Sequence, residues 1–109
     1  MSINRLMTVV VQSQDVDNAI AELSKAGLQA TLLSSTGVFL GVRNTTLLIG
    51  LSAGQEPDAI KILSEACRRR VEYVATPLEG APFHLPLTTP VTVGGATVFV
   101  LEVERYEVF

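Results

Sequence analysis

The spacing of apolar residues changes along the chain and divides its first part into a strand and a helix. Residues 5–12 are rich in Val and Met and contain no turn residue, which predicts a buried strand. Between 16 and 26 the apolar residues recur at the i, i+3, i+4, i+7 spacing of one helical face. They are Val16, Ala19, Ile20, Leu23 and Ala26. Asp15 is expected to cap this helix, and Gly27 is expected to end it.

Further strand patterns surround a second helix. Residues 28–35 predict a second strand, and residues 45–51, with the sequence TTLLIGL, predict a third. A helix is predicted to begin at residues 55–58, where Pro57 suits the first turn and the acidic residues suit the helix dipole. Its expected buried face consists of Ile60, Leu63, Ala66 and Cys67. Residues 71–76, VEYVAT, predict a fourth strand.

The resulting order β-α-β-β-α-β predicts an α+β fold, a ferredoxin-like sandwich with two helices on one face of an antiparallel sheet. A length of 109 residues fits one domain spanning 1–109. Residues 91–109 predict an additional C-terminal strand, in which Gly94 and Gly95 indicate a bulge or a close approach of another backbone. The second face of the sheet carries apolar residues, and only 17% of the chain is charged. A homo-oligomer that covers this face is therefore expected.

Two connecting segments are unusual. Val38, Phe39 and Leu40 stand between two predicted strands, either as the tip of a hairpin or as a binding loop. Residues 76–90 contain four prolines without a helical period, which predicts a long loop. Long loops in compact domains are often functional.

Composition and charge narrow the possible functions. The net charge of −3 argues against non-specific binding of nucleic acid, which requires a basic face. No signal peptide or membrane-spanning run is recognisable, so a cytoplasmic protein without membrane insertion is expected. Cys67 and His84 are single residues of their types, so neither a metal site nor a catalytic thiol is expected. The basic run 68–70 is interpreted as a favourable last helical turn that faces water.

Three stretches of the chain carry a family resemblance. STGVFLGVRNTTLLIG, TPLEG and VGGATVFVLEVERYEVF resemble the PII-like cyclic di-AMP receptor proteins. The resemblance implies a ferredoxin-like homotrimer with nucleotide sites in the clefts between subunits. It places the family's T-loop at about 36–44 and its B-loop at about 76–90. It also implies a receptor without enzymatic activity or cofactor, whose loops change when the ligand binds and then engage a protein partner.

The resemblance assigns roles to individual residues. Thr31 matches a threonine that hydrogen-bonds an adenine edge, and Phe39 and Leu40 match the pair that contacts the bases. The remaining matches are Asn44 at the loop exit, Gly50 as a position that leaves room for the ligand, and Phe99 as an aromatic residue near the cleft. Each of these residues also has an alternative role that involves no ligand. Phe39 could be a hydrophobic side chain in a subunit interface. Asn44 could be a turn residue, and Thr31 could be an ordinary strand residue.

A dinucleotide also requires hydrogen-bonding groups for its base edges and donors for its phosphates. Gln29 can hydrogen-bond the base edges. Donors for the phosphates can come from Arg43 and from backbone N–H groups near Gly37, Gly94 and Gly95. The predicted binding residues are therefore Gln29, Thr31, Gly37, Phe39, Leu40, Arg43, Asn44, Gly50, Gly94, Gly95 and Phe99.

The chain departs from the family pattern in two segments. Gly27 and Gln29 stand where the family has asparagine and arginine, and Gly41 follows the loop leucine where arginine is usual, with Arg43 two residues later. Loss of a charge-assisted phosphate contact costs about 1.5–3 kcal/mol. The sequence therefore leaves a second hypothesis open, a trimeric interaction scaffold that has lost cyclic di-AMP or binds another nucleotide. An enzyme or metal-handling trimer of the same fold is a third hypothesis.

Overall fold

The computed structural model of the protein describes residues 3–33, 38–39, 42–77 and 86–109. It contains seven strands and two helices within these ranges. Their bounds are β1 Arg5–Gln12, α1 Val16–Lys25, β2 Ala30–Leu33, β3 Val38–Phe39, β4 Val42–Leu51, α2 Glu56–Ala66, β5 Arg70–Pro77, β6 Pro86–Val93 and β7 Ala96–Glu102. The α+β class, both helices and the first three predicted strands are confirmed. None of the described helices has the length and apolar character needed to cross a membrane.

The main sheet is antiparallel, and its strand order is β2-β4-β1-β7. Arg5 pairs with Leu51 of β4 on one side of β1 and with Glu102 of β7 on the other. The short strand β3 adds only to the outer end of β4. This order is consistent with a ferredoxin-like fold, in which the last strand lies beside the first.

The fourth predicted strand is present, but its expected place in the main sheet was wrong. Residues 71–76 lie within β5, which pairs with β6 in a separate two-stranded sheet, hereafter the ribbon. The edge beside β1 is occupied by β7, the strand that was expected to be additional. The physical reason is packing: Val98 of β7 contacts the hydrophobic core, whereas Val71 and Tyr73 of β5 are exposed. Local strand composition does not reveal which of two strands has that partner.

Because of the ribbon, the connection between β5 and β6 is shorter than the loop predicted at 76–90. Its pairs run from Arg70 opposite Val93 to Pro77 opposite Pro86, so both ends of the predicted loop are strand. Residues 78–85 lie outside the described residues. Proline lacks the N–H that a central strand must donate, but a two-stranded ribbon has only edge strands and can accept it.

The core lies between the two helices and one face of the main sheet. Its fully buried side chains include Met7, Val9 and Val11 of β1, Leu47, Ile49 and Leu51 of β4, Leu23 of α1 and Leu63 of α2. Helix α1 ends as predicted at Gly27, whose φ is 78°. The N–H groups of Gly27 and Leu28 donate to Ser24 and Leu23 respectively, a Schellman arrangement that satisfies the last carbonyls of the helix. Ile60, a predicted buried residue, is 45% exposed on α2.

Asp15 precedes α1 but does not cap it, contrary to the sequence prediction. Its buried carboxylate instead accepts hydrogen bonds from Arg70, at 2.8 Å to Nη2 and 3.4 Å to Nη1. The same guanidinium donates to the backbone carbonyl of Arg68 and to the carboxylate of Glu72. Hydrogen bonding by Asp15 is the main cause that raises the pKa of Arg70 above its usual value. The pair fixes the first residue of the ribbon to the start of α1.

Asp15→Asn is expected to lower the melting temperature by several degrees, because it removes the charge that faces the Arg70 guanidinium. Thermal unfolding followed by circular dichroism measures this effect. Glu107→Gln is the matched control, since it removes one carboxylate from the exposed pair with Arg105. Equal melting temperatures for the two variants would contradict an anchoring role for Asp15.

Candidate functional site

The side of the main sheet that faces away from the helices, hereafter the open face, contains most of the predicted binding residues that can be placed. Strand alternation and the register assign the side chains of one cross-strand row, Thr31, Leu48, Thr8 and Phe99, to this face. Adjacent rows carry Leu33, Thr46, Val10 and Thr97 on one side, and Gly50, Leu6 and Leu101 on the other. No described helix packs against it, as the sequence predicted.

Thr31 and Phe99 lie at opposite ends of one row of the open face. Thr31 is on the edge strand β2, and Phe99 is on the edge strand β7, with β4 and β1 between them. Three strand spacings separate them by about 14 Å. Both are exposed, and Phe99 retains 56% of its accessible surface. One chain therefore presents a hydroxyl and an aromatic ring on the same surface but does not close them around one small group.

A cleft of about 210 Å³ lies at the end of the open face where β1 finishes and β4 begins. It is lined by Val10, Gln12, Asn44, Arg69, Gly94, Gly95, Ala96 and Thr97. We call it the Arg69 cleft. The structure thus brings together three predicted residues, Asn44, Gly94 and Gly95. Asn44 lies directly opposite Gln12 in the pairing of β4 with β1.

The paired glycines do not form the anion nest that the sequence suggested. The N–H of Gly94 donates to Gln12 Oε1 at 2.8 Å, and the N–H of Gly95 donates to the carbonyl of Cys67. Both residues have positive φ, 90° and 89°. A Cβ on Gly94 would collide with the backbone carbonyl of Arg68, so the predicted close backbone approach is confirmed. Their role is to bring the end of the ribbon past the end of α2 into the main sheet.

Arg69 is the residue of the cleft that sequence reasoning missed. The run 68–70 was assigned to a helical turn facing water, but α2 ends at Ala66 and the three arginines have different surroundings. Arg70 pairs with Asp15, whereas Arg69 lines the cleft on the open face. Arg69 lines the cleft because the chain comes back beside it at Gly94. No local sequence pattern near residue 69 indicates this contact.

Other predicted binding residues lie in positions less suited to contact with a ligand on the open face. Gly50 lies on the open face, but the side chain of Ile3 fills the space beside it, 2.9 Å from where a Cβ would stand. Arg43 is exposed and precedes Asn44, so strand alternation directs it to the opposite side of β4. Gln29 is exposed just before β2. Gly37, Leu40 and the loop glycine at 41 lie outside the described residues, and for Phe39 only the backbone, in β3, is described.

A separate polar cleft of about 350 Å³ lies on the helical side, beside the Asp15–Arg70 pair. It contains none of the predicted binding residues. Nearby, Cys67 is buried at the end of α2, and burial together with the charge of Asp15 raises the pKa of its thiol. Such a thiol is a poor nucleophile. Within the described part of the chain, no group of His, Cys, Asp and Glu residues is arranged to hold a metal ion.

Comparison with known proteins decides the family. The sequence model described as the cyclic-di-AMP receptor matches residues 4–109. The chain belongs to the cyclic-di-AMP receptor family. The resemblance recognised in its sequence motifs is thereby confirmed, and the family is one of receptors.

A solved structure supports the fold of this family member. The crystal structure of a functionally unknown protein from Pediococcus pentosaceus ATCC 25745 has 33% sequence identity to the chain and a TM-score of 0.76. The match covers 100% of both chains. The whole cyclic-di-AMP receptor chain, including the ribbon segment, therefore has a structural counterpart of the same length.

Proposed function

We propose that the protein is a signal receptor that binds an adenine nucleotide, with cyclic di-AMP as the first candidate, in the clefts between subunits of a cytoplasmic homotrimer. Ligand binding changes the conformation of the segments at 36–44 and 76–90, and the changed segments engage a protein partner. The observation that carries the proposal is the open face of a cyclic-di-AMP receptor family member. Thr31, Phe99 and Asn44 share this face, and Asn44 lies in the Arg69 cleft.

The chemistry of the open face suits an adenine nucleotide. Phe99 offers a flat ring on which a base can stack, and Thr31 offers a hydroxyl for a base edge. Because these two groups stand about 14 Å apart on one subunit, a ligand between them needs a second wall. A neighbouring subunit that covers the exposed apolar residues of the open face supplies that wall and buries Leu33 and Leu101 as well.

Isothermal titration with cyclic di-AMP, ATP, ADP and AMP tests the proposal. Cyclic di-AMP is expected to bind with the highest affinity, because its two adenines and two phosphates use both the open face and the Arg69 cleft. Binding of ATP alone would support a nucleotide receptor whose ligand is ATP and not cyclic di-AMP. Absence of binding by all four up to about 1 mM, equivalent to about −4 kcal/mol, would contradict the nucleotide role.

The second candidate function is a trimeric scaffold that holds a protein partner without a nucleotide. The observation in its favour is that Gly27 serves the end of α1 and Gln29 is an uncharged, exposed residue, at two of the positions that depart from the family pattern. The scaffold would be favoured if a defined partner co-purifies with equal yield in the presence and absence of nucleotide, and if no nucleotide binds in the titrations.

A further inference from the structure

The Arg69 cleft has one positively charged lining residue, Arg69, which forms no ion pair with the described part of the chain. Among the described residues, the ion pairs of the arginines involve Arg5, Arg70 and Arg105, and the described carboxylates form no ion pair with Arg69. The other lining side chains are apolar, amide or hydroxyl groups. The cleft therefore presents a single uncompensated positive charge on the open face of a chain whose net charge is −3.

The side chain of Arg69 lies against Gly95. A Cβ on Gly95 would lie 3.2 Å from Nε and 3.4 Å from Cγ of Arg69, so the side chain of Arg69 extends over the glycine. Gly95 is itself held by its hydrogen bond to the carbonyl of Cys67. Glycine at 95 thus leaves room for Arg69 to lie against the backbone, where it lines both the Arg69 cleft and a neighbouring pocket beside Ile60 and Leu63.

Two amide side chains supply further donors beside the guanidinium. Gln12 uses its Oε1 to accept the N–H of Gly94, which leaves its NH₂ group as a donor. Asn44, directly across the strand pair, has an NH₂ group of its own. A guanidinium with neighbouring amide donors and no carboxylate matches the requirements of a phosphate.

We propose that Arg69, assisted by Gln12 and Asn44, binds a phosphate of the nucleotide. This inference rests on the proposed function and makes it more specific. The spacing agrees with it, because Phe99 follows Thr97 of the cleft by two residues on the same strand face, about 7 Å. A base on Phe99 thus places its phosphate within reach of the guanidinium.

Arg69→Gln is the test, with Arg68→Gln and Arg105→Gln as matched controls. All three remove one arginine charge, but Arg68 and Arg105 do not line the Arg69 cleft. Arg69→Gln is expected to weaken cyclic di-AMP binding about 10- to 100-fold and to reduce its salt dependence. The controls are expected to stay within about twofold of the unchanged protein. Unchanged melting temperatures establish that the variants are folded.

A second arm uses inorganic phosphate, followed by the NMR signals of the Gly94 and Gly95 amides. Saturable shifts in the unchanged protein that vanish in Arg69→Gln support the anion site, even if no nucleotide binds and the proposed function fails. Nucleotide binding that is equal in Arg69→Gln and the unchanged protein overturns the assignment of Arg69 and leaves the proposed function standing. Absence of both phosphate and nucleotide binding overturns both.

Discussion

Gly94→Ala is expected to lower the free energy of unfolding by about 2–5 kcal/mol, which is a large part of the stability of a domain of this size. Two costs add. Position 94 has a φ of 90°, in the left-handed region that residues with a Cβ avoid. The new methyl group would also collide with the backbone carbonyl of Arg68, which cannot move without displacing the chain between α2 and the ribbon. Urea unfolding followed by circular dichroism measures the loss.

Gly54→Ala separates the two costs. Its φ of 93° is almost equal to that of Gly94, but a Cβ there would have no neighbour within 4 Å. This control is expected to lose only about 1–2 kcal/mol, the cost of the backbone conformation alone. Equal losses at 54 and 94 would show that the contact with Arg68 contributes nothing.

Leu101→Lys is expected to convert the proposed trimer into monomers. Leu101 is 55% exposed on the open face, in one row with Leu6 and Gly50. A lysine in this position would have to lose its hydration inside an apolar subunit interface, which costs several kcal/mol in each copy. Size-exclusion chromatography with light scattering gives the mass, and cyclic di-AMP binding should be lost together with the trimer because the proposed site requires two subunits.

The matched control for Leu101→Lys is Ile60→Lys. Ile60 is 45% exposed but belongs to α2, on the other side of the sheet, so the same change of charge should leave the mass unchanged. Both positions are exposed in the single chain, and neither substitution should unfold it. A monomeric unchanged protein, or a Leu101→Lys variant that keeps its trimeric mass, would contradict the proposed assembly.

The sequence predicted those features of the fold that local chemistry determines. Strand β1 was predicted with its observed bounds because a run of Val and Met ends at polar residues. The end of α1 at Gly27 and the place of Pro57 in the first turn of α2 follow from backbone properties of single residues. The exposed apolar face followed from the element order, since both helices lie on one side.

The features that sequence reasoning missed depend on distant parts of the chain. Asp is a residue type that commonly caps helices, but Arg70, 55 residues after Asp15, is a charged partner that binds the Asp15 carboxylate. Gly50 was expected to make room for a ligand, and the side chain of Ile3 takes that space. Arg69 enters the candidate site only because Gly94 and Gly95 return beside it. None of these pairings leaves a periodic signal in the sequence.

The ribbon begins and ends at neighbouring points of the domain. Arg70 pairs with Val93, and Gly95 donates to Cys67, so the chain leaves the body after α2 and re-enters it at almost the same place. Without residues 70–93 and the short strand β3, the remaining order is the β-α-β-β-α-β plan, with β7 as its last strand. The ribbon thus has the geometry of an insertion, and a change in its length would leave the register of the main sheet unchanged.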